Sequence, residues 1–102
     1  METDKIKALK EEKGVVFVEF YATWCPHCQK MMPVVDDVKA LFEGRAKVYQ
    51  FDIDLNGEFA NDLDVKSIPT FIIFKDGKEV WRTVGETAAD VLSRKLDEAL
   101  QS

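Results

Sequence analysis

The stretch "VVFVEF", Val15 to Phe20, constrains the fold most. It is nearly continuous in apolar residues and rich in β-branched and aromatic side chains, as a strand is. Successive side chains of a strand point to opposite faces. A run that is apolar at both parities therefore has to be covered on both sides. Strands of that kind lie at the centre of α/β sheets, with helices above and below. Glu19 interrupts the run with a charge. Its apolar neighbours favour burial over an edge position facing water.

The rest of the chain supplies the covering helices and the partner strands. Thr3 or Asp4 can cap a short helix that carries Ile6 and Leu9 and that Gly14 ends. From about Cys25 to Glu43, Met31, Met32, Val35, Val38, Leu41 and Phe42 form a helical stripe. Pro33 lies inside it and should kink it, and Gly44 should end it. "KVYQFDID" alternates Val48, Gln50 and Asp52 against Tyr49, Phe51 and Ile53, and a short helix with Phe59, Ala60 and Leu63 follows. "TFIIFK" and "KEVWRTV" read as two strands joined by Asp76-Gly77, a tight hairpin signal. Beyond Gly85, Thr87 and Asp90 have the spacing of an approximate capping box. Val91, Leu92, Leu96, Ala99 and Leu100 then give an amphipathic last helix.

The order is helix, then β-α-β-α-β-β-α. A long helix crossing between the first two strands makes them parallel, and the last two form an antiparallel hairpin. The expected fold is α/β, a four-stranded mixed sheet with helices on both faces. Its 102 residues suit a single domain over 1–102 with a sizeable core, and no linker or repeat divides it.

A formal charge of −5 and the lack of a Lys/Arg run argue against nucleic acid as a partner. No segment has the length and apolarity to span a membrane. The first residues, "METDKIKALK", lack the apolar core of a signal peptide. A complete chain is therefore expected in the cytoplasm, and a trimmed one in an exported compartment. Two cysteines are too few for a disulfide scaffold.

Both cysteines and the single histidine fall within "YATWCPHCQ", Tyr21 to Gln29. Cys25 follows the first strand and opens the long helix, at the strand end where α/β sheets form their sites. A helix N-terminus offers unpaired N–H groups and a partial positive charge, which stabilise a thiolate. Cys28 lies three residues on, on the same helical face and within reach of a disulfide. Cys25 can attack a disulfide, and Cys28 can then attack Cys25 and release the reduced product. Zinc wants four ligands, which this cysteine and histidine count does not supply, and the same shortage weighs against a bridging iron–sulfur cluster. Asp52 and Asp54 flank Ile53 like a metal pair, but a strand end running into a helix start explains them better. His27 can be a plain surface residue, but its position between the thiols favours an electrostatic role.

Taken together, "VFVEFYATWCPHC", Pro33, "FDID", "IPTFIIFKDGKEV" and Gly85 resemble the thioredoxin family over nearly the whole chain from Val15 onward. The resemblance implies the thioredoxin fold and thiol–disulfide exchange, with Cys25 the exposed nucleophile and Cys28 the resolving thiol. It implies a cis Pro69 facing the pair, with the backbone of Ile68 meeting an extended substrate segment. Trp24, Thr70 and Gly85 would border that docking surface. Protein disulfides would be the substrates, a reductase would recycle the pair, and no cofactor beyond the pair and no metal is implied. The chain is expected to act as a monomer.

The sequence departs from the usual pattern in several places. No strand precedes the first helix, so the first thioredoxin strand is missing. Pro26 and His27 stand where Gly-Pro is usual, as in bacterial disulfide oxidases. An imidazolium there would favour the Cys25 thiolate and make the pair more oxidising. Glu19 stands where thioredoxins usually have Asp, as in protein disulfide isomerase domains, and Gln50 where a lysine is common. A buried Glu19 without a cation should have a raised pKa and can take the Cys28 proton. Three functions follow: a reductase of protein disulfides, an oxidase or isomerase using the same pair, and a binding module without turnover. Retention of both cysteines weakens the last.

Overall fold

A computed structural model of the chain describes residues 3–102. Helix α1 spans Asp4–Glu11, strand β1 Val15–Tyr21, helix α2 Pro26–Leu41 and strand β2 Ala46–Asp52. Helix α3 spans Gly57–Asp62, strands β3 and β4 Thr70–Lys75 and Lys78–Val84, and helix α4 Ala89–Gln101. The four strands form one sheet in the order β2-β1-β3-β4. β1 runs parallel to β2 and antiparallel to β3, and β3 runs antiparallel to β4. Among the described residues no strand precedes α1. The mixed sheet and its covering helices are the thioredoxin fold that the sequence led us to expect.

β1 is central and buried on both sides, and its alternation divides two cores. Val15 and Phe17 face a core with α2 and α4, through Met31, Val35, Val38, Leu92 and Leu96. Phe17 stacks on Phe71 of β3 there, ring centroids 5.8 Å apart. Val16, Val18 and Phe20 face the opposite core with Ile6 and Leu9 of α1 and Phe59 and Ala60 of α3. Phe20 and Phe51 both pack on Phe59, at 5.3 and 4.9 Å between centroids. Trp81, without an assigned role in the sequence, packs against the α2/α4 core.

Several expected boundaries move. Thr3 does cap α1, its hydroxyl accepting the Ile6 N–H at 3.3 Å. The helix ends at Glu11 with Glu12 as its cap, however, two residues short of Gly14. Gly14 instead donates its N–H to the Asp76 carboxylate across the molecule at 2.7 Å. Helix α2 begins at Pro26 with Cys25 as its N-cap and continues through Pro33. Pro33 has no N–H to give the Gln29 carbonyl one turn back. The Thr87–Asp90 capping box does not form. Ala88, whose methyl cannot accept a hydrogen bond, is the N-cap of α4, and the Thr87 hydroxyl turns back to donate to the Gly85 carbonyl at 3.1 Å.

Candidate active site

The site begins where β1 stops. Ala22 is buried, and its carbonyl accepts the Cys25 N–H at 3.2 Å, which turns the chain into α2. Gln29 braces the same turn, its side-chain amide donating to the Thr23 carbonyl at 2.8 Å. Pro26 occupies the first turn of the helix, where its missing N–H costs nothing. Cys25 is left as the N-cap, and its Sγ accepts the Cys28 N–H at 3.3 Å. A side-chain acceptor at this position normally satisfies one orphan helix donor. Here a sulfur does so, and a thiolate accepts such a bond better than a thiol.

Both cysteines are free thiols. They form a small buried cluster with Ala22, against which Tyr21, Ile53 and Ile68 pack. Cys25 is only 4% exposed, less open than the resemblance implied, because the N-cap position tucks it under these neighbours. Burial, reinforced by the bond to Cys25 and by the charges of Cys25 and Glu19, pushes the Cys28 thiol up to about 12 against a smaller opposing pull from the Ala22 backbone.

Glu19 is 2% exposed, on the β1 face that meets α2. Its Oε1 accepts a hydrogen bond from the Gln50 side-chain amide at 2.9 Å, across the β1–β2 pair. Burial raises its pKa, Gln50 opposes the rise, and the Asp36 charge adds to it. A cavity of about 480 Å³ is lined by Glu19 and Cys28 together, with Gln50, Asp36, Gln29 and Met32 among its walls. The buried acid and the buried thiol thus share one space.

On the other side of the cysteines the Ile68–Pro69 peptide is cis. Pro69 is buried and its carbonyl accepts the Gly85 N–H at 2.8 Å. Thr70, also buried, donates its hydroxyl to the Ser67 carbonyl at 2.6 Å and so braces the loop. Gly85 has φ +92°, which favours glycine, and lets the chain leave β4 toward α4. Trp24 is 61% exposed, and its indole N–H is held by the Asp54 carboxylate at 2.9 Å. His27 lies on the rim, with Nδ1 2.6 Å from Glu86 Oε2. The structure therefore brings Cys25, Cys28, Pro26, His27, Trp24, Ile68, Pro69, Thr70 and Gly85 to one end of the sheet, with Glu19 beneath.

Asp54, Glu86 and Asp36 were not among the expected site residues. In the sequence Asp54 stands out only as half of an aspartate pair. In the fold Asp52 accepts the Asp54 N–H at 2.9 Å, and Asp54 holds Trp24. Glu86 meets His27 across 59 positions of sequence, which no local pattern could announce. Its one sequence cue is that it follows Gly85. Asp36 had none beyond its place on the helix face that Met32 shares.

The Thioredoxin family model matches residues 3–98. A thioredoxin of Staphylococcus aureus is 42% identical over 91 residues, which are 89% of this chain and 88% of that protein. This chain belongs to the thioredoxin family. A solved mutant thioredoxin from Halobacterium salinarum aligns with a TM-score of 0.82 at 30% identity, over 98% of this chain and 88% of the other. A chain from work on the thiol-resolving mechanism of a yeast mitochondrial 1-Cys peroxiredoxin via glutathione/thioredoxin systems aligns at 0.85, over 95% of this chain and 90% of that one. At 22% identity that second likeness is one of fold alone. Thioredoxin-family membership supports thiol–disulfide oxidoreductase chemistry for the Cys25–Cys28 pair. Among the described residues of this thioredoxin-family chain, no helix is long and apolar enough to cross a membrane.

Proposed function

We propose that the chain is a thioredoxin-type reductant of protein disulfides, acting as a single domain and a monomer, with the dithiol as its only redox group. The observation that carries this reading is the Cys28 N–H bond to Cys25 Sγ at the start of α2, beside a cavity shared by Cys28 and Glu19. Cys25 attacks one sulfur of a substrate disulfide. A Cys25–substrate bond forms, the substrate S–S bond breaks, and the departing thiolate takes a proton. Cys28 gives its proton to Glu19 and attacks Cys25 Sγ. The mixed disulfide breaks, the second substrate sulfur leaves as a thiolate that takes a proton from water while Glu19 releases its own, and Cys25–Cys28 becomes a disulfide. Two electrons have passed to the substrate, and a dithiol reductase returns them.

Ile68, Pro69 and Thr70 on one side, and Trp24 and Gly85 on the other, make the groove for an extended substrate segment. Pro26 and His27 tune the pair. The formal charge of −5 and the absence of a basic run favour protein partners over nucleic acid or membrane. Cys25→Ser should abolish reduction of insulin disulfides. Cys28→Ser should trap mixed disulfides that a non-reducing gel resolves. Turnover by Cys25→Ser, or no trapped adduct, would overturn the assignment.

The Pro26-His27 dipeptide favours a second reading, an oxidase or isomerase using the same atoms in reverse. Equilibration with glutathione separates the two. A potential near about −270 mV supports the reductant and one near about −120 mV the oxidant.

A further inference from the structure

We infer that Glu86 is a positioning residue of the redox couple, holding His27 and offsetting its charge so that a Pro-His loop stays reducing. The inference rests on the thiol–disulfide chemistry proposed above. His27 is two residues beyond Cys25, in the first turn of α2, and Glu86 Oε2 lies 2.6 Å from its Nδ1. The backbone that carries Glu86 is held on both sides. Gly85, just before it, donates its N–H to the Pro69 carbonyl at 2.8 Å, and the Thr87 N–H, just after it, points at Met31 Sδ on α2 at 3.5 Å. The hydrogen bond to His27 is the main influence holding the Glu86 carboxyl below its usual range, and the nearby charges of Lys30 and His27 assist, so it is ionised at neutral pH.

The direction of the effect follows from charge alone. When the imidazole is protonated, the pair is neutral with Glu86 and +1 without it. When the imidazole is neutral, the pair is −1 with Glu86 and neutral without it. Between those regimes the pair can be neutral either way. At no pH does loss of the carboxylate make the rim more negative. A more positive rim favours a Cys25 thiolate, which belongs to the reduced form and has no counterpart in the disulfide. Glu86 therefore biases the couple toward donating electrons, against the pull of His27.

The test is the equilibrium in which the protein disulfide and two glutathione thiols give the protein dithiol and glutathione disulfide. It is run at low salt and at pH 8.5, where a thiolate weighs in the reduced form. In Glu86→Gln the constant for protein reduction should rise about three- to tenfold, tenfold being about 30 mV for a two-electron couple. In a His27→Gln background the same change should move it less than about twofold, since the carboxylate has lost its tether. Unaltered thermal unfolding serves as the control for folding. An unchanged constant in Glu86→Gln would overturn the inference, and so would an equal shift in both backgrounds. If the parent chain proves oxidising while Glu86→Gln still makes it more so, the reductant reading fails and the role of Glu86 stands.

Discussion

Glu19 has two consequences that a surface carboxylate would not have. Burial holds its folded-state pKa above the unfolded value. The acid form therefore contributes stability that is fully present below the unfolded value, about 4.3, and is lost as the pH rises through the raised one. Glu19→Gln removes that loss and keeps a side-chain amide within reach of Gln50. The variant should unfold at higher denaturant than the parent at pH 8, and the gap should close toward pH 4. Its chemistry should suffer at one step only. The Cys28 thiol, held near 12, has to lose a proton before it can resolve the mixed disulfide, and loss of a general base usually costs about a hundredfold or more. Stopped-flow mixing with a model disulfide should show initial attack nearly unchanged and resolution slowed by that order. Equal slowing of both steps would remove Glu19 from the relay.

Elements were legible where hydrophobic period and burial agree. β1 announced itself because both of its parities are apolar, and α2 because Met31, Val35 and Val38 recur on one face. The cysteine pair and the cis-proline stretch could be read because their chemistry is local in sequence. Ends were less legible, because a cap is decided by where one hydroxyl turns. Thr87 has the right spacing to cap α4, yet its hydroxyl bonds back to Gly85 and leaves Ala88 as an N-cap with no side-chain acceptor. Pairings such as His27–Glu86 and Trp24–Asp54 were illegible because only the folded sheet brings those loops together. The uncapped helix offers its own test. Ala88 already has the extended backbone of an N-cap, φ −66° and ψ 147°. Ala88→Ser should therefore add about 1 kcal/mol, the usual worth of a cap. For a domain of this size that is a rise in Tm of about 4–8 °C. Calorimetry showing no rise would mean that the orphan N–H groups are already satisfied by water.

At the scale of the whole molecule the sheet has a polarity. The redox groups sit where β1 ends and β3 begins, and the opposite end of the same two strands is a structural joint. Phe20 pairs with Thr70 at the first end and Val15 with Lys75 at the second. At the joint the β3–β4 hairpin tip meets the α1–β1 connection. The Asp76 N–H donates to the Gly14 carbonyl at 2.9 Å, and the Gly14 N–H to the Asp76 carboxylate at 2.7 Å. Gly77, next in the turn, has φ +81°, and a Cβ there would collide with the Lys10 backbone carbonyl at the end of α1. A left-handed residue and a backbone clash together should cost Gly77→Ala about 2–4 kcal/mol. The clash cannot be relieved by rotating a side chain, because the atoms it meets are backbone. Relief requires α1 to move off the hairpin and strains its seat on Phe74 and Val16. The glutathione equilibrium of Cys25–Cys28 should stay at the parent value meanwhile, since the chemistry lies at the far end of the strands. Urea unfolding and a redox titration on the same variant check both halves. Parent-like stability would mean that the joint yields freely, and a shifted redox equilibrium would mean that strain travels the length of β1 and β3 to the cysteines.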